Sequence, residues 1–374
     1  MKTPVNCLTT NSCEVTGFGN NFMFLITAYA LARRFGCYYT HTPWKNLLYS
    51  TTLQYGYDEA GDKEINNYVT NCLLPADHTI SMYGQVRYIN NTKAECYPAE
   101  PPGELGGEHT VNVLPWINLE NSIDGSDAEY INAPANIDEI KKILSQPLQK
   151  NRVVRIFGTF GDLWLLSRSF DHDPSLILDI RDELIEHYRK SSQVPPTYFR
   201  KDEINIAIHT RRYCSPPDDE ACNTPERLLF TLGSAIDQFF CSMIKEISQK
   251  LNGHAACFHF YGHAQSASAS AEYDHFADYL CDLKNHRIEA HINERPTNTL
   301  HHFITADILY MAKSTFSLSA HFYSKGPVLV RQGFLEQNPW SGRLFPHVHS
   351  VDHDGKFDER IITQLLGSKE IKHS

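Results

Sequence analysis

The chain has 374 residues, 41% of them hydrophobic and 21% charged, which is ordinary for a folded globular protein and long enough for two cores. Its formal net charge of −10 excludes nucleic acid as the main partner, because backbone phosphates call for a broad basic surface. A local cationic pocket for one nucleotide diphosphate remains compatible with that charge.

No run approaches the roughly 18 apolar residues of a membrane span, and Met1-Lys2-Thr3-Pro4-Val5-Asn6 opens no signal-peptide core. The sequence therefore reads as soluble, without a transmembrane segment. That places it in the cytoplasm or, if an anchor was trimmed, in the secretory lumen. Ten cysteines occur without any C-x-x-C pair, which excludes the common zinc-ribbon and redox motifs. Cys241 and Cys257 sit in apolar stretches, where cysteine serves as a small buried hydrophobe, and the thiols are read as reduced.

In chain order, a loop at Thr16-Gly17-Phe18-Gly19-Asn20-Asn21 precedes a helical stretch, FMFLITAYALARRFG, stopped by Gly36. Cys37–Thr40 follows as a strand. Residues 57–134 read as a loop-rich insert, with PAEPPGELGG at 98–107. Val153–Gly158 reads as a strand, and Asp173-Pro174 caps a helix running to Arg189. The Pro pair in Ser191-Ser192-Gln193-Val194-Pro195-Pro196 marks a linker, giving domains 1–195 and 196–374.

The second half alternates regularly. Strand Ile204–His209 is followed by a long helix opening at Thr224-Pro225 and closing at Asn252-Gly253. Then come strand Ala256–Tyr261, a helix around Glu272–Leu283, strand Arg287–His291, helix Thr299–Ala312, strand Thr315–Leu318 and strand Pro327–Arg331. Strands separated by helices are βαβ units, which assemble into a parallel, doubly wound α/β sheet.

Three loops carry candidate chemistry. INIAIHTRR places His209, Arg211 and Arg212 where a strand runs out. In open α/β sheets ligands lie beyond the carboxyl ends of the strands, and guanidiniums match phosphate oxygens with a planar fork of donors. The glycine loop lacks the third glycine of a dinucleotide fingerprint and the lysine of a P-loop. It still directs free N–H groups at a helix start, with Gly19 permitting close approach and Asn20 adding an amide. The third loop, STFSLSAHFYSK, presents Ser317, Ser319 and His321 as hydroxyl and imidazole groups. Asp307, on the preceding helix, either anchors that loop or faces solvent. His347, His349 and His353 have the spacing of a metal cluster, but 19 histidines make such clusters cheap, and no metal is expected. Asp171-His172-Asp173 and Asp352-His353-Asp354 mimic an acidic metal motif, the first reading as a helix cap.

Together these loops resemble one family, the α1,2-, α1,6- and protein O-fucosyltransferases that carry an H-x-R-R or H-x-R-x-G motif. GFGNNFMFLITAYALARRFG is similar to their N-terminal G-x-G-N element, IAIHTRR to their central motif, and ADILYMAKSTFSLSAHFYSKGPVLV to their third. The resemblance implies a GT-B fold, two Rossmann-like domains facing across a cleft, the first on the acceptor side and the second holding the donor. It implies inverting, metal-independent transfer of fucose from GDP-fucose to a glycan or protein hydroxyl, with no cofactor. Arg211 would meet the β-phosphate as GDP leaves. His209 and Arg212 would be further donor contacts, and Gly19 and Asn20 would approach the diphosphate from the first domain. Ser317, Ser319 and His321 would lie near the phosphates and Asp307 near the guanosine.

Two departures stand out. Tyr213-Cys214 follows the arginines where many relatives have Gly-Asp or Thr-Asp, and Phe18 occupies the position of a glutamate base. Asp162 in FGTFGDLW is the candidate base in its place. Two alternatives stay open: a GT-B transferase using another nucleotide sugar, and a catalytically silent glycan- or nucleotide-binding module.

Overall fold

The computed structural model describes residues 4–10, 17–41, 44, 48–50, 55–56, 59–79, 81–89, 108–113, 122–124, 127–157, 160–168, 175–191, 195–210, 233–262, 286–312, 314–332 and 345–373. The chain divides into two compact units, 1–192 and 193–374, each α/β and each built on a parallel sheet.

In the first unit β1 (Asn6–Thr10), β2 (Tyr38–Tyr39), β8 (Glu129–Pro134) and β9 (Arg152–Phe157) form a sheet in the order β2-β1-β9-β8, every pair parallel. Helix α1 (Phe18–Arg34) crosses from β1 to β2 and is buried on nearly every side from Phe18 to Ala32, as expected of a helix apolar all round. Its stop is set by Gly36 at φ 65, with Cys37 N–H donating to Ala32 O at 3.0 Å in a left-handed cap that favours glycine.

The chain between β2 and β8 carries further short elements among the described residues. It contains strands β3 (Leu48–Ser50) and β4 (Tyr55–Gly56), helix α2 (Glu59–Tyr68) extended by a π turn at Val69–Leu73, and a sheet of β5 (Ser81–Ile89), β6 (Glu108–Val113) and β7 (Ser122–Asp124). Buried Asn66 on α2 ties that helix inward. Its Oδ1 accepts from Trp44 N at 2.7 Å and its Nδ2 donates to Trp44 O at 2.8 Å. Helices α3 (Ile137–Leu144), α4 (Phe160–Arg168) and α5 (Ser175–Ser191) complete the unit.

The second unit holds β10 (Ile204–His209), α6 (Gly233–Lys250), β11 (Ala256–Gly262), β12 (His286–Ile292), α7 (Pro296–Thr305), β13 (Ile308–Met311), α8 (Thr315–His321), β14 (Val328–Arg331), β15 (Val348–Val351) and α9 (Arg360–His373). The sheet runs β12-β11-β10-β13-β14-β15. One face is apolar: Ile204, Ile206, Ile208, Phe258 and Phe260 pack against Phe240, Met243 and Ile247 of α6 and against Ile361 of α9. Period two sends the intervening residues to the other face. Asn205, Cys257, His259, Tyr261, Arg287, Glu289 and His291 therefore share a polar face, where the ring of His302 on α7 stacks 5.5 Å from that of Tyr261.

Two elements differ from the sequence reading. The helix expected at 299–312 ends at Thr305, and Ile308–Met311 is a strand. All four of its residues are buried, and a strand covered on both faces carries the same continuous apolar run as a buried helix. The strand expected at 315–318 is helix α8. Within it Ser319 Oγ donates to Thr315 O one turn back, at 2.8 Å, a bond that helical geometry offers a serine hydroxyl. The helix expected at 272–283 lies outside the described residues, as does Thr224-Pro225, where the sequence sets a helix start.

Candidate functional site

The chain enters the second sheet at β10, moves outward through β11 and β12, then returns to the other side of β10 as β13. Strand order therefore reverses between β10 and β13, and doubly wound sheets bind ligands at the carboxyl ends of such a pair. His209 ends β10 at that edge. Its ring lies 5.3 Å from Phe303 on α7 and 6.0 Å from Phe316 in the first turn of α8.

Beyond His209, Thr210 is buried, its N–H donating to Tyr261 O at 2.8 Å and its hydroxyl to the same oxygen at 3.1 Å. The chain thus leaves the sheet from a fixed point on the neighbouring strand. Arg211 and Arg212 follow directly and lie outside the described residues.

At β13 the same edge continues into Ser314, the N-cap of α8, whose Oγ accepts from Phe316 N at 3.3 Å. No acidic residue occupies the first turn of α8, so nothing there repels an anion.

The third-loop residues are not delivered together to this edge. Ser317 and Ser319 are fully buried, and Ser317 Oγ donates to Ala312 O and Ser314 O, each at 3.3 Å. His321 ends the helix, roughly 10 Å from its start at 1.5 Å per residue. It is buried beside Phe322 and Phe345, with Nδ1 bonded to Leu318 O.

Asp307 corrects the reading more sharply. It precedes β13 at the amino edge of the sheet, where its Oδ2 accepts from Asn205 N at 2.8 Å and its own N–H donates to Asn205 O at 2.9 Å. Four residues of strand, about 13 Å at 3.3 Å each, separate that level from His209. The carboxylate closes the amino ends of β10 and β13 and does not reach the ligand edge.

In the first unit the glycine element lies largely within α1. Gly17 is the N-cap at φ −73 and ψ 165, Gly19 is buried and Asn20 half-buried in the first turn. The first-turn N–H groups of a helix have no intrahelical partner, and no acidic side chain occupies that turn. Asp162 lies exposed in the first turn of α4, just past the carboxyl end of β9. Strands β1 and β9 are adjacent and parallel, and Thr27 of α1 and Ser167 of α4 hydrogen-bond at 2.9 Å through their hydroxyls. The starts of α1 and α4 thus share one sheet edge. Leu165 and Leu166, three and four residues after Asp162 on the same helix face, line a shallow pocket with Ala135, Asn136 and Asp138.

The acidic motif Asp352-His353-Asp354 is a turn, with Asp352 Oδ1 accepting from Asp354 N at 2.9 Å and Lys356 N at 2.8 Å. Asp171-His172-Asp173 lies outside the described residues. Among the described residues no helix is long and apolar enough to cross a membrane.

No family model matches the chain, and no curated protein matches it. Solved structures do resemble it loosely. An Arg-to-Lys mutant of FUT1 from Arabidopsis thaliana in complex with GDP aligns at 11% identity over 88% of this chain and 70% of that one, with a TM-score of 0.38. The fucosyltransferase NodZ from Bradyrhizobium aligns at 10% identity over 86% and 93%, with a TM-score of 0.33. A Listeria monocytogenes protein described as a UDP-N-acetylglucosamine 2-epimerase aligns at 10% identity over 98% and 89%, with a TM-score of 0.36. Likenesses this loose do not assign an activity.

Proposed function

We propose that the chain is an inverting glycosyltransferase of the GT-B kind that moves fucose from GDP-fucose to a glycan or protein hydroxyl without a divalent metal. One observation carries the reading: His209, the first residue of the H-x-R-R motif, ends β10 where strand order reverses, beside the start of α8. Arg211 then meets the β-phosphate as the C1–phosphate oxygen bond breaks, and Arg212 adds a second donor contact. The acceptor oxygen bonds to C1 from the opposite face and gives its proton to a general base. Guanidiniums and backbone N–H groups aimed at developing charge stabilise such a leaving group.

Donor contacts in this proposal are His209, Arg211 and Arg212, with the first turn of α8 beside them. Ser317, Ser319, His321 and Asp307 hold the frame. Thermal unfolding with GDP, UDP or CDP tests the reading, because a ligand of the folded state adds about 2.7 kcal/mol at a hundredfold excess over its dissociation constant. GDP is expected to stabilise the chain most, equally with and without added Mg²⁺. A shift that needs Mg²⁺, or one larger for UDP or CDP, contradicts it.

A further inference from the structure

The polar face of the second sheet holds a donor set that the transfer reaction does not use. Cys257 and His259 are two apart on β11, Glu289 and His291 two apart on β12, and the register sets His259 opposite Glu289. Cys257 Sγ, a ring nitrogen of His259 and a carboxylate oxygen of Glu289 all lie within 4.8 Å of one another. Cys257 and His259 are fully buried.

The protonation pattern of His259 can be worked out from its neighbours. Asn205 Nδ2 donates to Arg200 O at 2.8 Å and Glu203 O at 3.2 Å, and Asn205 Oδ1 accepts from Arg200 N at 3.2 Å. The amide is thereby fixed with Oδ1 towards His259 Nε2, 3.3 Å away, so Nε2 carries the hydrogen and Nδ1 a lone pair. Around that lone pair stand Cys257 Sγ at 3.9 Å, Glu289 Oε2 at 3.5 Å and His291 Nε2 at 3.0 Å. His291 Nε2 is also 3.8 Å from Glu289 Oε2. Ligands bound at about 2.0–2.3 Å in a tetrahedron stand roughly 3.3–3.8 Å apart. The two Glu289 Oε2 separations, 3.5 and 3.8 Å, fall in that range. Those of 3.9 and 3.0 Å lie just outside it, and His291 stands outside the three groups that are mutually within 4.8 Å. Arg287 occupies the other carboxylate oxygen, Oε1, and is itself held by Glu203, so Oε2 is aimed at the cluster.

We propose that Cys257, His259 and Glu289, with His291 as the fourth ligand, bind one zinc ion that fastens β11 to β12 beneath α7. Thiolate, imidazole and carboxylate are a zinc donor set, and four protein ligands make a closed, structural site. Asn205 and Arg287 orient the ligands from behind, as partners of metal-bound histidines and carboxylates do. Binding releases the Cys257 proton to solvent, and the two anionic ligands neutralise the ion. Cys257 is level with Asn205 and His291 with His209 in the ladder, and the proposal does not depend on the transferase reading.

The test uses the full chain, stripped with chelator and titrated with Co(II), which reports thiolate ligation by a near-ultraviolet charge-transfer band. One Co(II) per chain with that band is expected, displaced by Zn(II), and Zn(II) should raise the unfolding temperature of the stripped protein. The band should vanish in Cys257→Ser and persist in Cys241→Ser. Because Cys257→Ser alters a buried residue, Glu289→Gln provides the second arm: its Co(II) affinity should fall at least about tenfold with an unchanged circular dichroism spectrum. No bound metal, a band that survives Cys257→Ser, or unchanged affinity in Glu289→Gln overturns the proposal in favour of a hydrogen-bonded histidine pair.

Discussion

The ring of His209 stands 6.0 Å from that of Phe316, so the end of β10 and the first turn of α8 meet across the reversal of strand order. His209 is also tilted against Phe303 at 5.3 Å, which makes it part packing residue and part edge residue. His209→Phe should keep both ring contacts and leave the unfolding temperature nearly unchanged while weakening GDP. Calorimetric titration checks this. Unaltered GDP affinity would mean that His209 is only a packing residue.

Asp307 should act on stability and not on the donor. Asp307→Ala leaves the buried Asn205 N–H without its carboxylate acceptor, a loss of about 1–3 kcal/mol. The folded fraction should bind GDP as the unaltered chain does. Denaturant unfolding and titration separate the two effects, and a selective loss of GDP binding would restore Asp307 to the ligand site.

How this site reads from the sequence depends on which residues the local pattern constrains. INIAIH alternates cleanly because one face of β10 meets α6 and the other is polar, so strand and edge position are both visible. ILYM does not alternate, being buried on both faces, and it reads as the tail of a helix. Reading ILYM as helix puts Asp307 within a helix, whereas it precedes strand β13. The C-x-H and E-x-H pairs of β11 and β12 match no common spacing, since 29 intervening residues, Phe260–Ile288, separate them. Their proximity follows from parallel pairing, and only the fact that each pair points one way was available beforehand.

Stability should fall in mild acid. Burial first, then His301 and His291, holds His302 down to about 4, against 6.5 for an exposed imidazole. The unfolded chain therefore binds this proton between those values and the folded chain does not. The resulting stability is complete above pH 6.5 and is lost as pH falls towards 4, at about 1.4 kcal/mol per pH unit. Urea unfolding at pH 7.5, 6 and 5 should show the decline, shallower in His302→Gln. An identical slope in that variant would remove His302 as a cause.

The turn before α9 should tolerate no side chain at Gly355. Its φ is +82, and an added Cβ would meet Met243 N of α6 at 2.5 Å. Backbone strain and overpacking together predict a loss of roughly 1–3 kcal/mol or more for Gly355→Ala. Denaturant unfolding within a few tenths of a kcal/mol of the unaltered chain would contradict that packing.

The donor assignment is tested most directly by turnover of GDP-fucose, as transfer or slow hydrolysis at saturating donor, in the unaltered chain and in Arg211→Ala. A preorganised donor aimed at the leaving phosphate contributes more in the transition state than in the ground state, so its removal should lower the rate on the order of 10²–10³-fold. Arg211→Lys should recover little, because a point charge lacks the planar fork. Near-normal turnover in a folded Arg211→Ala chain would contradict the account and leave the H-x-R-R segment as an ordinary strand end.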